Sequence, residues 1–497
     1  MPLAIELSDQ NPWWRDVAAI DQDMYIAAWK ASRAPWNPRL QYTFDLDTDL
    51  VYTIRGPRQV GKTTLTKLMI RELLQKVEPR RVFYYTCDLV ASPKELSNIV
   101  AGYLDWLRTF THERAFAFLD EVSSVRDWQK AIKHLVDTGK LKATTVFLTG
   151  SHTLDVKAMS ERLPGRRGVA QDTLDKILLP MKYSEYVETL GEDVSQEVAS
   201  LGLRDWERRK SLIERLSKGE TPNECERLYL FLKDLNRNLQ DYFLTGGMPL
   251  VADHYRKRGR ISEDVYRTYV DVVRGDLVKW GKRENYLRQV LGRVLETLGN
   301  PVGWNTLRQN TDISSHNTVA DYVDALKDSF ILIYLHQFDM ARKAPSYQKE
   351  KKVHFRDPFF LHAVRGWILG RGPYEESLDL LGDTESVGKI VEGVVADHLT
   401  RLAFHLSAQK QLFEYENALM FWRGKKEREV DFVLRLNEAY LPIEVKYQRG
   451  VRRSDLYGVI DFGKGTACKG GLVLSKDKFE AMNGFSVVPV AMFLMLV

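Results

Sequence analysis

Cysteine is scarce in this chain: Cys87, Cys225 and Cys468 are the only ones in 497 residues, and they form no C-x-x-C pair. That excludes a disulfide framework and makes a reducing cytoplasm the expected location. No apolar run approaches the roughly 20 residues that a membrane-spanning helix needs. The opening MPLAIELSDQNPWWRD lacks the basic start and apolar stretch of a secretory signal. No membrane partner is expected. The final VVPVAMFLMLV is too short to span and reads as a buried terminal strand. A strong charge of either sign is also missing, with 72 Lys and Arg against 67 Asp and Glu and a net charge of +5. This balance permits a nucleic-acid partner without demanding one. Internal repeats and low-complexity tracts are absent.

What the chain does have is ordinary globular composition, 44% hydrophobic and 28% charged, at a length that suggests two to four domains. From Gln41 to Ile54, QYTFDLDTDLVYTI reads as two short β segments around an Asp-rich turn, the second running into a Gly-rich loop. A helix should follow from Lys62. Further β runs lie at 82–87, 115–119, 144–149 and 177–181, with helical periodicity at 93–107 and 126–137. Alternation of this kind implies a parallel sheet covered by helices. Beyond about Tyr183, long charged amphipathic helices run to about Asn285. Then come three short helical patterns and the β-rich FILIYLHQF, a winged-helix pattern. Last come a helix at 387–405, β runs at 419–422, 429–436, 440–446 and 471–474, and a helix between the last two.

Gly56-Pro57-Arg58-Gln59-Val60-Gly61-Lys62-Thr63, followed by Thr64, satisfies G-x-x-x-x-G-K-[ST] between a predicted strand and a predicted helix. Backbone N–H groups of such a loop wrap phosphates at a helix N-terminus, with Lys62 reaching the β and γ oxygens and Thr63 holding Mg²⁺. The alternative is a chance Gly-rich turn, which the strand and helix context disfavours. FAFLDE, residues 116–121, is an apolar strand ending in two carboxylates. Asp120 can contact the Mg²⁺ shell while Glu121 polarises the attacking water. TVFLTGSH, residues 145–152, ends in hydroxyl residues where a γ-phosphate sensor is expected, with Ser151 the chosen candidate, though turn residues are also of this type. In the ERLPGRRG turn, Arg166 is a candidate to stabilise transferring phosphoryl charge in cis or from a neighbouring copy, against the plain reading of solvated arginines.

Glu429-Val-Asp431 and Ile443-Glu444-Val-Lys446 have the form of a PD-(D/E)XK site. Two carboxylates can hold a divalent metal against a scissile phosphate while Lys446 positions the attacking water. Period-2 alternation puts Val430, Phe432 and Leu434 opposite Asp431, and Glu444 on the same face as Lys446. The competing reading is a half-exposed hairpin in which Lys446 merely pairs with Asp431 or Glu444. The presumed recognition helix, residues 316–328, is acidic and reads first as a packing module. Basic residues suited to DNA lie later, at Arg423, Lys425, Lys426, Arg428, Arg449, Arg452 and Arg453.

GPRQVGKTTL, FLDEV, FLTGS, ERLPGRRG, ILLPMKYSEY and YFLTGGMP, together with KKVHFRDP, EGVVADHL and EVDFVLRL…LPIEVKY, resemble a family of prokaryotic AAA-type ATPases. Its members carry a winged helix and a C-terminal domain of unknown function that is restriction-endonuclease-like. The resemblance runs from about residue 38 nearly to the end. It implies an α/β architecture: a P-loop ATPase parallel sheet with a helical lid, a winged-helix domain and a C-terminal restriction-endonuclease-like α/β domain. The expected division is an N-terminal extension at 1–37, an ATPase core at 38–190, a helical lid at 191–285, a winged helix at 286–345, a connector at 346–385 and a nuclease-like domain at 386–497. The resemblance adds Glu392 as a further metal-site carboxylate. The expected partners are ATP, Mg²⁺, DNA and further copies of the chain. The leading expectation is ATP turnover coupled to a metal-dependent nuclease-like domain. The alternative is a nucleotide-dependent interaction switch whose nuclease-like domain is inactive.

Overall fold

A computed structural model describes residues 7–150, 163, 165–169, 172–424, 428–436, 439–466, 468, 470–482 and 484–497. They form two compact units, Met1–Leu179 and Pro180–Val497. In the first, β1 (Val51–Arg55), β2 (Val82–Thr86), β3 (Ala115–Asp120), β4 (Thr144–Thr149) and β5 (Asp175–Ile177) build a parallel sheet in the order β2-β3-β4-β1-β5. Residues of the three central strands are almost wholly buried, because helices on the faces hide both sides of a parallel sheet. Helices span Lys62–Leu73, Pro93–Arg108 and Gln129–Asp137. The second starts where Ser92 accepts from Glu95 N–H and Pro93 takes the first helical position. It buries Leu96, Ile99, Val100 and Tyr103 against Phe83 and Leu119.

The segment read as two β pieces holds only one strand. Arg39–Thr43 is a 3₁₀ turn entered from Pro38, and Asp45 accepts from Asp47 N–H and the Thr48 hydroxyl, closing a turn where a strand would need extended backbone. The N-terminal residues cover the open edge of β2. Asn11 brackets Tyr84, accepting from its N–H and donating to its carbonyl. Gln10 accepts from Thr86 N–H, and the indoles of Trp13 and Trp14 both donate to the Val82 carbonyl. Side chains thereby satisfy every second residue of an edge that would otherwise offer itself to another strand.

In the second unit, seven helices run from Tyr183–Leu190 to Glu263–Lys279 with no strand between them among the described residues. Helices Glu284–Glu296, Trp304–Arg308 and His316–Asp328 follow, then the hairpin β7 (Leu332–Asp339) and β8 (Ala344–Phe355), which pairs the short β6 (Pro301–Val302). The helix 316–328 buries Val319, Tyr322, Val323 and Leu326, and its Asp324 accepts from Tyr334 at 2.7 Å. Residues 346–385 hold most of β8 and helices Pro358–Leu369 and Pro373–Gly382. The C-terminal strands are β9 (Leu419–Arg423), β10 (Glu429–Leu436), β11 (Ala439–Lys446), β12 (Leu472–Ser475), β13 (Glu480–Met482) and β14 (Phe485–Pro489). All lie in one sheet with the hairpin, in the order β13-β14-β12-β11-β10-β9-β7-β8-β6, joined where His336 and Gln337 of β7 pair Met420 and Phe421 of β9. The chain's last stretch is not one strand: β14 stops at Pro489, and Val490–Leu496 is a fully buried helix. Proline fixes the turn into it, and Ala, Met and Leu are good helix formers.

Two sequence landmarks meet in this unit. Asp357 of HFRDP accepts from Phe359 N–H, capping helix 358–369, and from Gly247 N–H of LTGGMP, both at 2.8 Å. A Cβ on Gly246 would stand 1.9 Å from the Asp357 carboxylate, so no side chain fits there.

His398, on the long helix Thr384–Leu406, is fully buried, with Nδ1 bonded to the Val394 carbonyl and Nε2 accepting from Tyr183 N–H, both at 2.8 Å. That pair of bonds requires the neutral Nδ1–H tautomer, and burial pushes its pKa down to about 3. The unfolded chain therefore takes up a proton as pH falls through about 6.5 while the folded chain does not. Stability is lost toward acid at about 1.4 kcal/mol per pH unit for this group. Denaturant unfolding at pH 7.5 and pH 5 should show the loss in wild type and a smaller loss in His398→Gln; equal losses would clear His398 of the role.

Candidate functional site

The end of β1 enters the Gly-rich loop. At Gly56, whose φ is +151°, an added Cβ would stand 2.0 Å from the Leu178 carbonyl oxygen, so only glycine allows the backbone to pass. Lys62 opens the following helix, is 7% exposed, and donates to the carbonyls of Gly56 and Pro57 at 3.0 Å each. Val60 is buried beneath the loop. Because β4 lies between β1 and β3, the loop and the Asp-Glu pair face one another at the C-terminal ends of parallel strands, where ligands bind in such sheets. Thr63 Oγ1 donates to Asp120 Oδ2 at 2.9 Å.

Asp120 is 3% exposed and carries two further hydroxyls: Tyr84 donates to Oδ2 at 3.0 Å and Thr149 to Oδ1. Lys67 sits 3.4 Å above the Tyr84 ring and pairs Asp23 of the N-terminal segment at 3.1 Å. Burial pulls the Lys67 pKa below the ordinary lysine value, and Asp23 opposes that shift. Glu121 follows with φ +53°, a left-handed conformation unusual for a non-glycine, and its N–H donates to Thr149 Oγ1 at 3.2 Å. Tyr84 and Thr149 are the partners that motif reading missed. Thr149 stood one strand end away from notice in a hydroxyl-rich stretch, whereas nothing in VFYYT marks Tyr84. Thr63 and Asp120 form a hard-oxygen donor pair suited to Mg²⁺. Ser151 lies outside the described residues. Arg166 pairs with Asp137 at 2.8 Å, and Arg167 is buried, tying β1 to β5 through the Val51 carbonyl and Asp175.

In the second unit, Asp431 on β10 and Glu444 on β11 are each 6% exposed and adjacent: Asp431 N–H donates to Glu444 Oε2 at 3.3 Å, and Val445 N–H donates to Asp431 Oδ2 at 2.9 Å. Lys446 pairs with Glu444. Glu392 joins them from the helix 384–406, with Oε2 buried and making no hydrogen bond. Strict alternation does not hold along β10. A register shift between Val430 and Val433 puts both into one apolar cluster with Trp422 and Phe462.

A residue absent from the expected set stands among these carboxylates. Lys352 of β8, 2% exposed in its side chain, contacts Glu429, lies 2.9 Å from Asp431 Oδ1 and 3.7 Å from Glu392 Oε2, and passes 5.9 Å from the Phe421 ring. Burial, then the Asp431 charge, raises the pKa values of Glu392 and Glu444 to about 8. Burial would raise that of Asp431 too, but Lys352 and Lys446 hold it below the usual carboxylate value. The carboxylates suit a divalent cation in kind. As they stand, no three His, Cys, Asp or Glu side chains among the described residues are set to hold one. Of the basic residues expected to meet DNA, Arg423 pairs Glu350 at 3.3 Å and Arg428 pairs Asp461, while Lys425 and Lys426 lie outside the described residues.

Residues 48–187 match the model of an AAA domain (AAA_14). Residues 236–369 and 387–493 match two domains of unknown function, DUF8612 and DUF4143. The chain thus carries an AAA-type P-loop ATPase domain, with the Gly-rich loop and the Asp-Glu strand inside the matched span. Two uncharacterized proteins of Methanocaldococcus jannaschii are similar to the chain. MJ1637 is 23% identical over 313 residues, 61% of this chain and 59% of that protein. MJ1544 is 23% identical over 327 residues, 64% and 58%. The chain spans about three fifths of the length of these curated relatives. Among solved structures, the Walker-type ATPase PABY2304 of Pyrococcus abyssi aligns with a TM-score of 0.38 at 15% identity, covering 63% of this chain and 91% of that one. The Aeropyrum pernix ORC1 protein in complex with DNA gives 0.30 at 13%, covering 66% and 88%. The Thermotoga maritima RuvB Holliday junction branch migration motor gives 0.26 at 16%, covering 63% and 89%. No described helix is long and apolar enough to cross a membrane.

Proposed function

We propose that the chain binds ATP with Mg²⁺ and hydrolyses it, and that turnover drives DNA processing by the nuclease-like domain at 386–497. The observation that carries the ATPase reading is the Thr63–Asp120 hydrogen bond at the mouth of the loop, with Glu121 as the next residue. In this reading the loop amides from Gly56 to Thr64 cradle the phosphates and Lys62 leaves the loop carbonyls for the γ-phosphate. Thr63 and Asp120 hold Mg²⁺, which neutralises phosphate charge. Glu121 accepts the proton of the attacking water, and Ser151 senses the γ-phosphate. Arg166 contributes from a neighbouring copy, which makes the working form a homo-oligomer. The free cysteines, two of them buried, fit a reducing cytoplasm.

The DNA reading is supported by the convergence of Asp431, Glu444, Lys446 and Glu392, and by the exposed arginines 449, 452 and 453 beyond β11. Purified full chain offered single-stranded, duplex and branched DNA with ATP and Mg²⁺ or Mn²⁺ should cut at least one form. Asp431→Asn and Glu444→Gln should each lower cutting by about 100-fold or more while sparing ATP turnover. Cutting undiminished in both variants, or elicited by neither metal on any form, removes the nuclease reading and leaves the interaction switch.

A further inference from the structure

The acid set of the second unit comes with a cation of its own. Lys352 is on a strand three places from β10 in the sheet, in the hairpin that follows helix 316–328, and its ammonium reaches three carboxylates on two elements: Glu392 of the long helix, and Glu429 and Asp431, two residues apart on β10. The other lysine of the cluster, Lys446, is committed to Glu444. Four carboxylates therefore face two ammonium groups, with Lys352, Asp431 and Glu444 buried and Glu392, Glu429 and Lys446 partly open to solvent, and the centre of the set is taken by a group with three N–H donors and no acceptor.

We propose that Lys352 is the resident cation of this cluster and competes with divalent metal for it, so that metal loads only when the lysine withdraws. The inference rests on reading the cluster as nuclease-like and adds a control to it. A divalent ion needs the oxygens that Lys352 now occupies, and two cations a few ångströms apart repel strongly where solvent is scarce. Removing a buried lysine leaves like charges facing one another, which a divalent ion would relieve. The element that must move is the β7–β8 hairpin or the side chain it carries, so metal loading follows the position of a strand outside the acid–acid–lysine motif.

Direct Mn²⁺ binding by the full chain tests this, measured by electron paramagnetic resonance without nucleotide and in an Asp120→Asn background that removes metal affinity at the P-loop. The chain with Lys352 should bind Mn²⁺ at the C-terminal cluster only weakly. Lys352→Met should bind one Mn²⁺ at least about 100-fold more tightly, and adding Asp431→Asn should abolish the gain. Lys352→Gln, which removes the charge but keeps N–H donors on a slightly shorter side chain, serves as the second variant. For either substitution, Mn²⁺ should raise the unfolding temperature of the second unit, and it should rescue folding if the substituted chain is unfolded in its absence. Tight Mn²⁺ binding that Asp431→Asn abolishes and Lys352→Met leaves unchanged overturns the proposal. So does failure of both variants to gain either Mn²⁺ or Mn²⁺-dependent stability. A Lys352 variant that takes up Mn²⁺ yet, with Asp120 restored and ATP present, cuts no DNA upholds the competition and removes only the nuclease reading.

Discussion

Glu121→Gln should hold ATP and turn it over about 10²- to 10⁴-fold more slowly, the range lost with a positioned general base. The residue follows Asp120, whose two oxygens are already occupied by the hydroxyls of Thr63, Tyr84 and Thr149. Asp120 is thereby tied to orientation and metal, and the proton-accepting role falls to its neighbour. The left-handed backbone at Glu121, with its N–H on Thr149, ends the strand at Asp120 and is a conformation that costs energy. Glutamine keeps the shape and the backbone bond and removes only basicity. Lys62→Ala makes the complementary change, weakening nucleotide binding by about 10- to 100-fold because a charge-assisted contact is lost. Steady-state turnover and fluorescent-nucleotide binding separate the two variants. Wild-type turnover in Glu121→Gln would reassign the base. Mixed Lys62→Ala and Arg166→Ala chains should regain part of the activity if Arg166 serves a neighbour's site, and verified mixed oligomers that stay inactive would confine Arg166 to its pair with Asp137.

The largest stability loss is expected at Asp397→Ala in the second unit, about 3–5 kcal/mol. Asp397 is 2% exposed, with Oδ1 held by Arg356 and Oδ2 by Arg401, both at 2.7 Å. Burial alone would raise its pKa; Arg401 and Arg356 bring it below the ordinary value instead. Truncation to alanine leaves two buried guanidinium groups facing a void, which costs far more than the intact pair contributes. Replacing all three by apolar residues of similar volume should recover most of the loss. Denaturant unfolding of the second unit, followed with unchanged m-value, gives the number, and a loss below about 1 kcal/mol would mean that water reaches the pair. This network also explains two of the landmarks quoted from the sequence, since Arg356 belongs to KKVHFRDP and Asp397 to EGVVADHL.

What could be read in advance was local. The strand, loop and helix around Lys62 occupy adjacent residues, and the apolar run into Asp120 announces its own end. β10 and β11 were legible because polar and apolar residues alternate around Asp431 and Glu444, but the shift at Val430/Val433 was not, since a bulge adds a residue without changing composition. Tyr84 and Lys352 needed the fold. Tyr84 meets Asp120 only because β2 pairs β3, and Lys352 is 79 residues from Asp431, within the segment expected to be a connector. A signal was present: Lys352 precedes Val353 in a β-rich run, and a lysine flanked this way needs a buried counter-charge. One sequence alone does not say which carboxylate supplies it. The helix 490–496 was misjudged because its residues are all apolar, and an unbroken apolar run has neither period 2 nor period 3.6; Pro489 was the one mark of the change.

The pairing of β7 with β9 means that the hairpin and the C-terminal strands are not interchangeable parts. A cut in the chain between residues 356 and 418 would leave an apolar strand with one open edge on each fragment: Leu332–Asp339, still paired with β8, on one and Leu419–Arg423, still paired with β10, on the other. Neither fragment would be a finished fold, and each would carry a surface ready to adhere to whatever strand it met. A graft of this C-terminal region onto another ATPase must therefore bring the hairpin with it, and the segment that looks like a spacer along the chain is a seam that inheritance has to keep whole.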